Sequence, residues 1–317
     1  MARRKKGQKI DGWINLHKPV GVTSTQAVGK LRRALNAQKI GHGGTLDPLA
    51  SGVLPIALGE ATKTIPFIQD AMKTYDFTVT WGEQRTTDDA EGDIIEKSDT
   101  RPSEGQILDQ LSDFMGDIEQ LPPQFSAIKI NGERAYNIAR DGEHADIKPR
   151  QTYIEELELI SHDENTATLR CHCGKGTYIR SIARDLGLKL ECFGYVSMLK
   201  RTQVGVFELE NAFSLDFFQE IIDNPEQGND GLCALLPLQT VLDDIPALAL
   251  KEEEAQKLKN GNALTFLSKA DLERLNKAQI DWKDSDNVEA LALYEDKALA
   301  IVEVTGAKIQ PVRVFNL

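Results

Sequence analysis

The chain has 317 residues, 41% apolar and 27% charged, with four cysteines and a formal net charge of −12. That length accommodates two or three domains with a sizeable core, and the composition excludes global disorder. No apolar run approaches the ~20 residues that span a bilayer, no apolar signal core follows the N-terminal charges, and the cysteines lack a framework spacing, so a cytoplasmic protein is expected.

The acidity is unevenly spread. Residues 208–246 hold nine acids and no Lys or Arg, residues 247–317 are net −2, and residues 1–207 are net −1. Binding to RNA follows the distribution of charge more than its total, so a basic groove in the first two-thirds is compatible with these numbers.

In chain order, residues 1–10 carry five basic groups and read as a flexible tail. Trp13 to Leu16 reads as a strand leading into the turn HKPVG. Thr23 or Ser24 can cap a helix running to about Asn36, with Val28, Leu31 and Leu35 on one face. A glycine-rich loop at 41–48 precedes the apolar run Val53 to Leu58, and Tyr75 to Trp81 alternates as a strand before a polar loop at 82–93. Helical spacing covers 103–116. Residues 122–149 are irregular, resemble an insertion between strands, and contain Asn131-Gly132, a strong hairpin signal.

Strands follow at 152–160 and 166–173, then a loop and helix at 175–187 and a strand near 195–207. The acidic stretch 208–246 mixes helix-like and loop segments and reads as a solvated connecting face. Residues 247–317 suggest a small unit with a helix at 251–259 and short strands toward 292–303 and 310–315. Strands and helices intermingle without regular βαβ alternation. The expected fold is therefore α+β: a mixed, mainly antiparallel sheet body with flanking helices and a small β-rich C-terminal domain.

The segment GHGGTLDPLASG at 41–52 is the most informative for chemistry. Its glycines allow close backbone approach to a ligand, and Pro48 keeps Asp47 out of helical geometry. An acid held there beside an apolar run suits a nucleophilic carboxylate, while on spacing alone an Asx-turn is the plainer reading. Arg180, just inside a helix, is of the type that keeps a carboxylate ionised; a surface arginine pairing with Asp185 is the plainer alternative. Tyr75 suits base stacking or acid/base work, or plain strand packing. His42, beside two glycines, is placed to stack on or displace a base.

Other motifs carry less. Cys171-His172-Cys173 lacks a second ligand pair at zinc spacing, and on a strand both cysteines share one buried face. Cys192 and Cys233 read as core thiols. Neither a nucleotide-binding glycine loop nor a hydrolase elbow is present in a usable context. Lys30, Arg32, Arg33, Lys39 and the pair Lys200-Arg201 are candidate phosphate contacts.

Five ordered blocks, GWINLHKPVGVTS at 12–24, GHGGTLDPLASGVLPIALGEATK at 41–63, KTYDFTVTWGEQRTTDDAEG at 73–92, LPPQFSAIKINGERAYNIARDG at 121–142 and GKGTYIRSIARDLG at 174–187, together carry a resemblance. The sequence resembles the bacterial tRNA pseudouridine synthase B family, which isomerises uridine 55 in the T-loop of tRNA. The resemblance implies Asp47 as the catalytic aspartate, Tyr75 as the tyrosine against the target base and Arg180 as the partner of the aspartate. It implies His42 in opening the T-loop, Lys18, Tyr178 and Leu199 as further pocket positions, and Asp89 as a polar active-site aspartate in a loop about one residue shorter than the family's. Residues 124–150 correspond to an RNA-gripping insertion. The catalytic domain is expected over 11–246 and a PUA-like RNA-binding domain over 247–317. Isomerisation implies no cofactor and no metal; the expected partner is tRNA, with no membrane and a monomeric chain. A non-catalytic tRNA-binding or folding protein is the alternative, and an aspartate-based glycoside hydrolase, with Asp89 as second carboxylate, a third reading.

Overall fold

The computed structural model describes residues 7–126, 128–130, 132–140, 145–225, 231–283 and 287–317. A ten-stranded sheet organises the first two-thirds of the chain. Its central path runs from Phe213–Ser214 through Gly12–Lys18, Ala50–Leu58, Gly194–Val204, Lys73–Trp81, Thr166–Cys173 and Arg150–His162 to Gly116–Gln120. Pairing is antiparallel except where Gly194–Val204 meets Ala50–Leu58 and where Phe213–Ser214 meets Gly12–Lys18.

Helices Ser24–Ala34, Glu104–Leu111 and Ile179–Lys189 cover one face and bury Leu31, Ile107, Ile182 and Leu186 against Leu16, Leu54, Phe77 and Leu169. Thr23 is the N-cap of the first helix: its hydroxyl accepts from the Gln26 backbone, and the Gln26 side chain accepts from the Thr23 N–H. The helix expected over 103–116 ends at Leu111 and continues as a tight turn through Phe114, which keeps Phe114 buried.

Several expectations are corrected. Residues 7–10 are not a loose tail: Gln8 donates to Asn36 O, Gln38 donates to Gln8 O, and Ile10 is buried. The basic residues Arg3, Arg4, Lys5 and Lys6, the turn residue Asn131, and the acids Glu226 and Asp230 lie outside the described residues. The strand expected to reach 207 ends at Val204, turns at Gly205 and pairs back on itself through Phe207–Glu208. Residues 292–303 are two strands, Val288–Tyr294 and Lys297–Thr305, because Glu295 and Asp296 both take positive φ and close a hairpin.

The acidic stretch is more than a solvated connector. Its described acids are exposed, yet Leu215, Phe218 and Ile221 enter the main core, and Phe213–Ser214 extends the sheet. The apolar stripe of helix Leu215–Asp223 faces inward and its charges outward.

The C-terminal residues form a five-stranded sheet with helices Glu252–Lys259 and Lys269–Lys277 around their own core. That unit is joined to the body by a shared apolar cluster in which Leu291, Ala298, Ile301 and Phe315 meet Trp13, Val53, Ile68 and Phe207. Polar bonds reinforce the seam: Lys63 Nζ donates to Val314 O at 2.6 Å, and Asn316 N donates to Glu60 Oε2 at 2.7 Å. Among the described residues no helix is long and apolar enough to cross a membrane.

Cys171 and Cys173 share a buried face of their strand, and Cys192 is buried, but Cys233 is exposed on a short turn rather than in the core. A thiol reagent added to the native protein is therefore expected to modify one cysteine quickly and the other three only on unfolding. Replacing Cys233 by Ser should abolish the fast phase; a fast phase that persists would contradict this placement.

Candidate active site

Asp47 sits on the loop joining Ile40–His42 to Ala50–Leu58. Two glycines make that loop possible. A Cβ at Gly43 would collide with Ile68, and at Gly52, where φ is +111°, it would strike the backbone of Arg201 in the neighbouring parallel strand. Three further contacts fix the loop. The Ser24 hydroxyl accepts from Leu46 N at 2.9 Å and lies 3.0 Å from Leu46 O, to which it donates. Gly21 N donates to Pro48 O at 2.8 Å. Arg201, although expected as a phosphate contact, is buried and donates to Val53 O at 2.8 Å and to Gly44 O at 3.2 Å. Its guanidinium serves as an interior clamp.

Arg180 enters from the first turn of helix Ile179–Lys189. Its Nη2 lies 3.0 Å from Asp47 Oδ2 and its Nη1 lies 3.3 Å from Asp89 Oδ2. The same two nitrogens donate to Thr87 O and Phe125 O, each at 3.0 Å. One planar fork thus ties together the Asp47 loop, the 82–93 loop and the insertion beginning at 124. The helix N-terminus is itself electropositive, so an arginine in the first turn is unfavourable alone and both carboxylates offset it. The simpler pairing with Asp185 does not occur; Asp185 pairs with Arg184 instead.

One helical turn later Arg184 binds Asp88 at 3.0 Å, so two arginines fasten consecutive residues of the same loop. Asp88 holds φ at +60°, and burial pushes its carboxyl up to about 6 despite the opposing pull of Arg184.

The two carboxylates on Arg180 are unequal. The Asp47 side chain is 37% exposed, whereas that of Asp89 is 3% exposed and accepts from Glu91 N and the Thr87 hydroxyl. Asp89, expected as a polar active-site group, therefore lies sealed behind Arg180. Asp47 faces a cavity of about 270 Å³ walled also by Tyr75, Ser126, Tyr178, Arg180 and Leu199. That volume is near the lower bound of small-molecule pockets, about 300 Å³, and suits one nucleoside rather than a helical segment. Among the described residues Asp47 is the one carboxylate in the wall, which gives the two-carboxylate glycosidase reading no second acid there.

The remaining candidates divide. Tyr75 stands on the wall, opposite Arg201 in register, and burial pushes its phenol above the usual range, so it stays neutral. Tyr178 and Leu199 also reach the wall. Tyr178 packs on the insertion's small core of Ile128, Ala135, Ala145 and Ile147. Gln120 brackets the Tyr178 backbone: its amide oxygen accepts from Tyr178 N at 3.0 Å. Lys18 does not line the cavity; it is wholly buried beneath the loop, donates to Pro19 O and Val22 O, and burial lowers it to about 8. His42 is also off the wall, half-buried at the base of the Asp47 loop. Burial, with Arg201 nearby, lowers its pKa, and its Nδ1 has no hydrogen-bond partner.

Sequence reasoning missed Ser24, Ser126 and the clamp role of Arg201. Ser24 was visible only as a cap candidate; its side chain turns instead to a loop 22 residues away.

The geometry can be set beside known proteins. Residues 32–179 match the family model described as TruB family pseudouridylate synthase, N-terminal domain, and residues 180–244 match the tRNA pseudouridylate synthase B C-terminal domain. A protein of Caulobacter vibrioides named tRNA pseudouridine synthase B is 46% identical over 318 aligned residues covering all of both chains. One of the same name from Ruegeria pomeroyi is 46% identical over 99% of each. Among solved structures, a chain of a Cbf5–Nop10–Gar1 complex superposes with a TM-score of 0.70 at 26% identity, covering 96% of this chain and 84% of the other. A chain of an H/ACA ribonucleoprotein bound to a substrate RNA containing 2'-deoxyuridine gives 0.70 at 22% identity, covering 100% and 92%, a likeness of fold.

Proposed function

This chain belongs to the TruB family of pseudouridylate synthases, and from that membership we propose that it converts uridine 55 in the T-loop of tRNA to pseudouridine, with Asp47 as the catalytic carboxylate. The observation that carries this reading is the Asp47 carboxylate, held by Arg180 and open to a cavity of single-nucleoside size.

The reaction breaks the bond from N1 of the base to the sugar, turns the base, and joins the sugar to C5. The proton on C5 is lost and N1 gains one, so substrate and product are isomers. A T-loop uridine is stacked and must first leave the loop, at a cost of about a few kcal/mol. Stacking on Tyr75 offsets roughly 1–3 kcal/mol of that. Neutral His42, at the base of the loop, is suited to fill the space the base leaves. Asp47 meets the nucleoside from a charge-assisted pairing with Arg180, which holds its carboxylate at the cavity wall. We further propose that the β-rich C-terminal unit is a PUA-like RNA-binding domain and that the insertion at 124–150 grips the T-arm.

Mapping pseudouridine in total tRNA from cells with and without this protein tests the reading. The expected result is loss of modification at one T-loop position. A map identical in the two strains would overturn it.

A further inference from the structure

Among the described residues the cavity wall carries four cations, Lys73, Lys175, Arg180 and Arg201. Three are buried and already committed: Arg180 and Arg201 as described above, and Lys73, whose Nζ donates to Gln69 O at 2.6 Å and to Ala71 O. Lys175 is different. Its side chain is 69% exposed, and its Nζ lies 2.7 Å from Oδ1 of Asp70, itself 61% exposed. Gln69 shares the cavity wall, whereas Asp70 faces a neighbouring groove that Asp243 and Arg313 also line. The ion pair therefore bridges the end of helix Ile65–Asp70 and the loop 174–178 at the rim of the cavity.

The backbones that carry the pair are anchored, and the two side chains are in solvent. Lys73 grips the carbonyls on either side of Asp70. Across the rim, Gly174 N donates to Tyr153 O at 2.8 Å, Thr177 Oγ1 donates to Gly174 O at 3.1 Å, and the Thr152 and Thr177 hydroxyls bond each other. An exposed pair of this kind shifts an equilibrium by only about 1.4- to fivefold, so a stronger anion displaces it readily. A nucleotide that leaves its strand stays joined to a phosphate on each side. The cavity of about 270 Å³ takes the nucleoside, and the phosphates remain at the rim. A run of phosphates attracts an ammonium more strongly than one solvated carboxylate does, and Lys175 is the exposed wall cation placed to meet it.

We infer that Lys175 passes from Asp70 to a phosphate flanking the target uridine when that nucleotide enters the cavity, and that Asp70 holds the ammonium in place until then. This rests on the isomerase reading above. It makes Lys175 an RNA-contacting residue at the rim, and Asp70 a placeholder that the RNA must displace.

The test measures the affinity of a fluorescent T-arm stem–loop RNA in which the phosphate on one side or the other of the target uridine is replaced by an uncharged methylphosphonate. At one of the two positions the replacement should weaken wild-type binding at least about fivefold and Lys175→Met binding by less than about twofold. Lys175→Arg, which keeps a cation, should restore the sensitivity. Asp70→Asn should tighten binding of the unmodified RNA by about 1.4- to fivefold, and that gain should shrink when Lys175 is also replaced by Met. Coupling between one side chain and one phosphate is insensitive to general damage to the fold, which affects all the RNAs alike. Equal losses in wild type and Lys175→Met, no loss at either position, or an equal Asp70→Asn gain in both backgrounds would overturn the handover and leave the isomerase reading standing. Conversion of the unmodified RNA by wild-type protein is read in parallel by nucleoside chromatography. No conversion would overturn the isomerase reading and the inference with it.

Discussion

Asp47→Asn is expected to retain RNA binding and to lose isomerisation by at least about 10³-fold, read as tritium release from RNA labelled at C5 of the target uridine. Asparagine keeps the shape of the side chain and removes its charge. In most ion pairs such a change strands the partner, but here Asp89 remains 3.3 Å from Arg180, and Thr87 O and Phe125 O still accept from it. Arg180 thus keeps a counter-charge, and the half-open Asp47 carboxylate contributes little to stability. The variant should melt close to wild type. Loss of turnover in a folded, RNA-binding protein then reports chemistry; turnover near wild type would remove Asp47 from the mechanism.

Arg180→Lys should fail in a different manner. An ammonium is a point charge and cannot span Asp47, Asp89, Thr87 O and Phe125 O, which the guanidinium reaches with two nitrogens. The carboxylate least able to find water is Asp89, and leaving a buried charge poorly paired costs about 3–5 kcal/mol in the limit of full loss. A lysine that recovers part of the pairing should lower stability by about 1–3 kcal/mol and turnover by at least about 10²-fold. Thermal melting and single-turnover rates check the two effects separately. A rate equal to wild type would show that the fork is not needed to present Asp47.

Much of this was legible beforehand. The alternation of Tyr75 to Trp81 and the glycine-rich run ending at Asp47 gave the right strand and loop because their causes are local: side-chain period and backbone freedom. The Asp47–Arg180 pairing came from the resemblance; nothing in the spacing of residues 133 apart encodes it. What escaped the sequence is long-range. Arg201 has the composition of a surface cation, and only the parallel pairing of Gly194–Val204 with Ala50–Leu58 turns it inward onto the Gly44 and Val53 carbonyls. Asp89 matched an active-site position, but its concealment follows from two arginines on one helix drawing the 82–93 loop down. The acidic stretch was dominated by its charge count, which hid the apolar stripe of Leu215, Phe218 and Ile221.

The seam between the two sheets bears on the RNA-binding role proposed for the C-terminal unit. Trp13, Ile68 and Phe207 share one apolar cluster with Leu291, Ile301 and Phe315, and the last residues of the chain are tied back to Glu60 and Lys63. The distance from the C-terminal sheet to the Asp47 cavity is consequently built in, like the jaws of a fixed gauge. With the C-terminal unit binding RNA as proposed, the expected consequence is that an RNA touching both ends is sorted by its own dimensions.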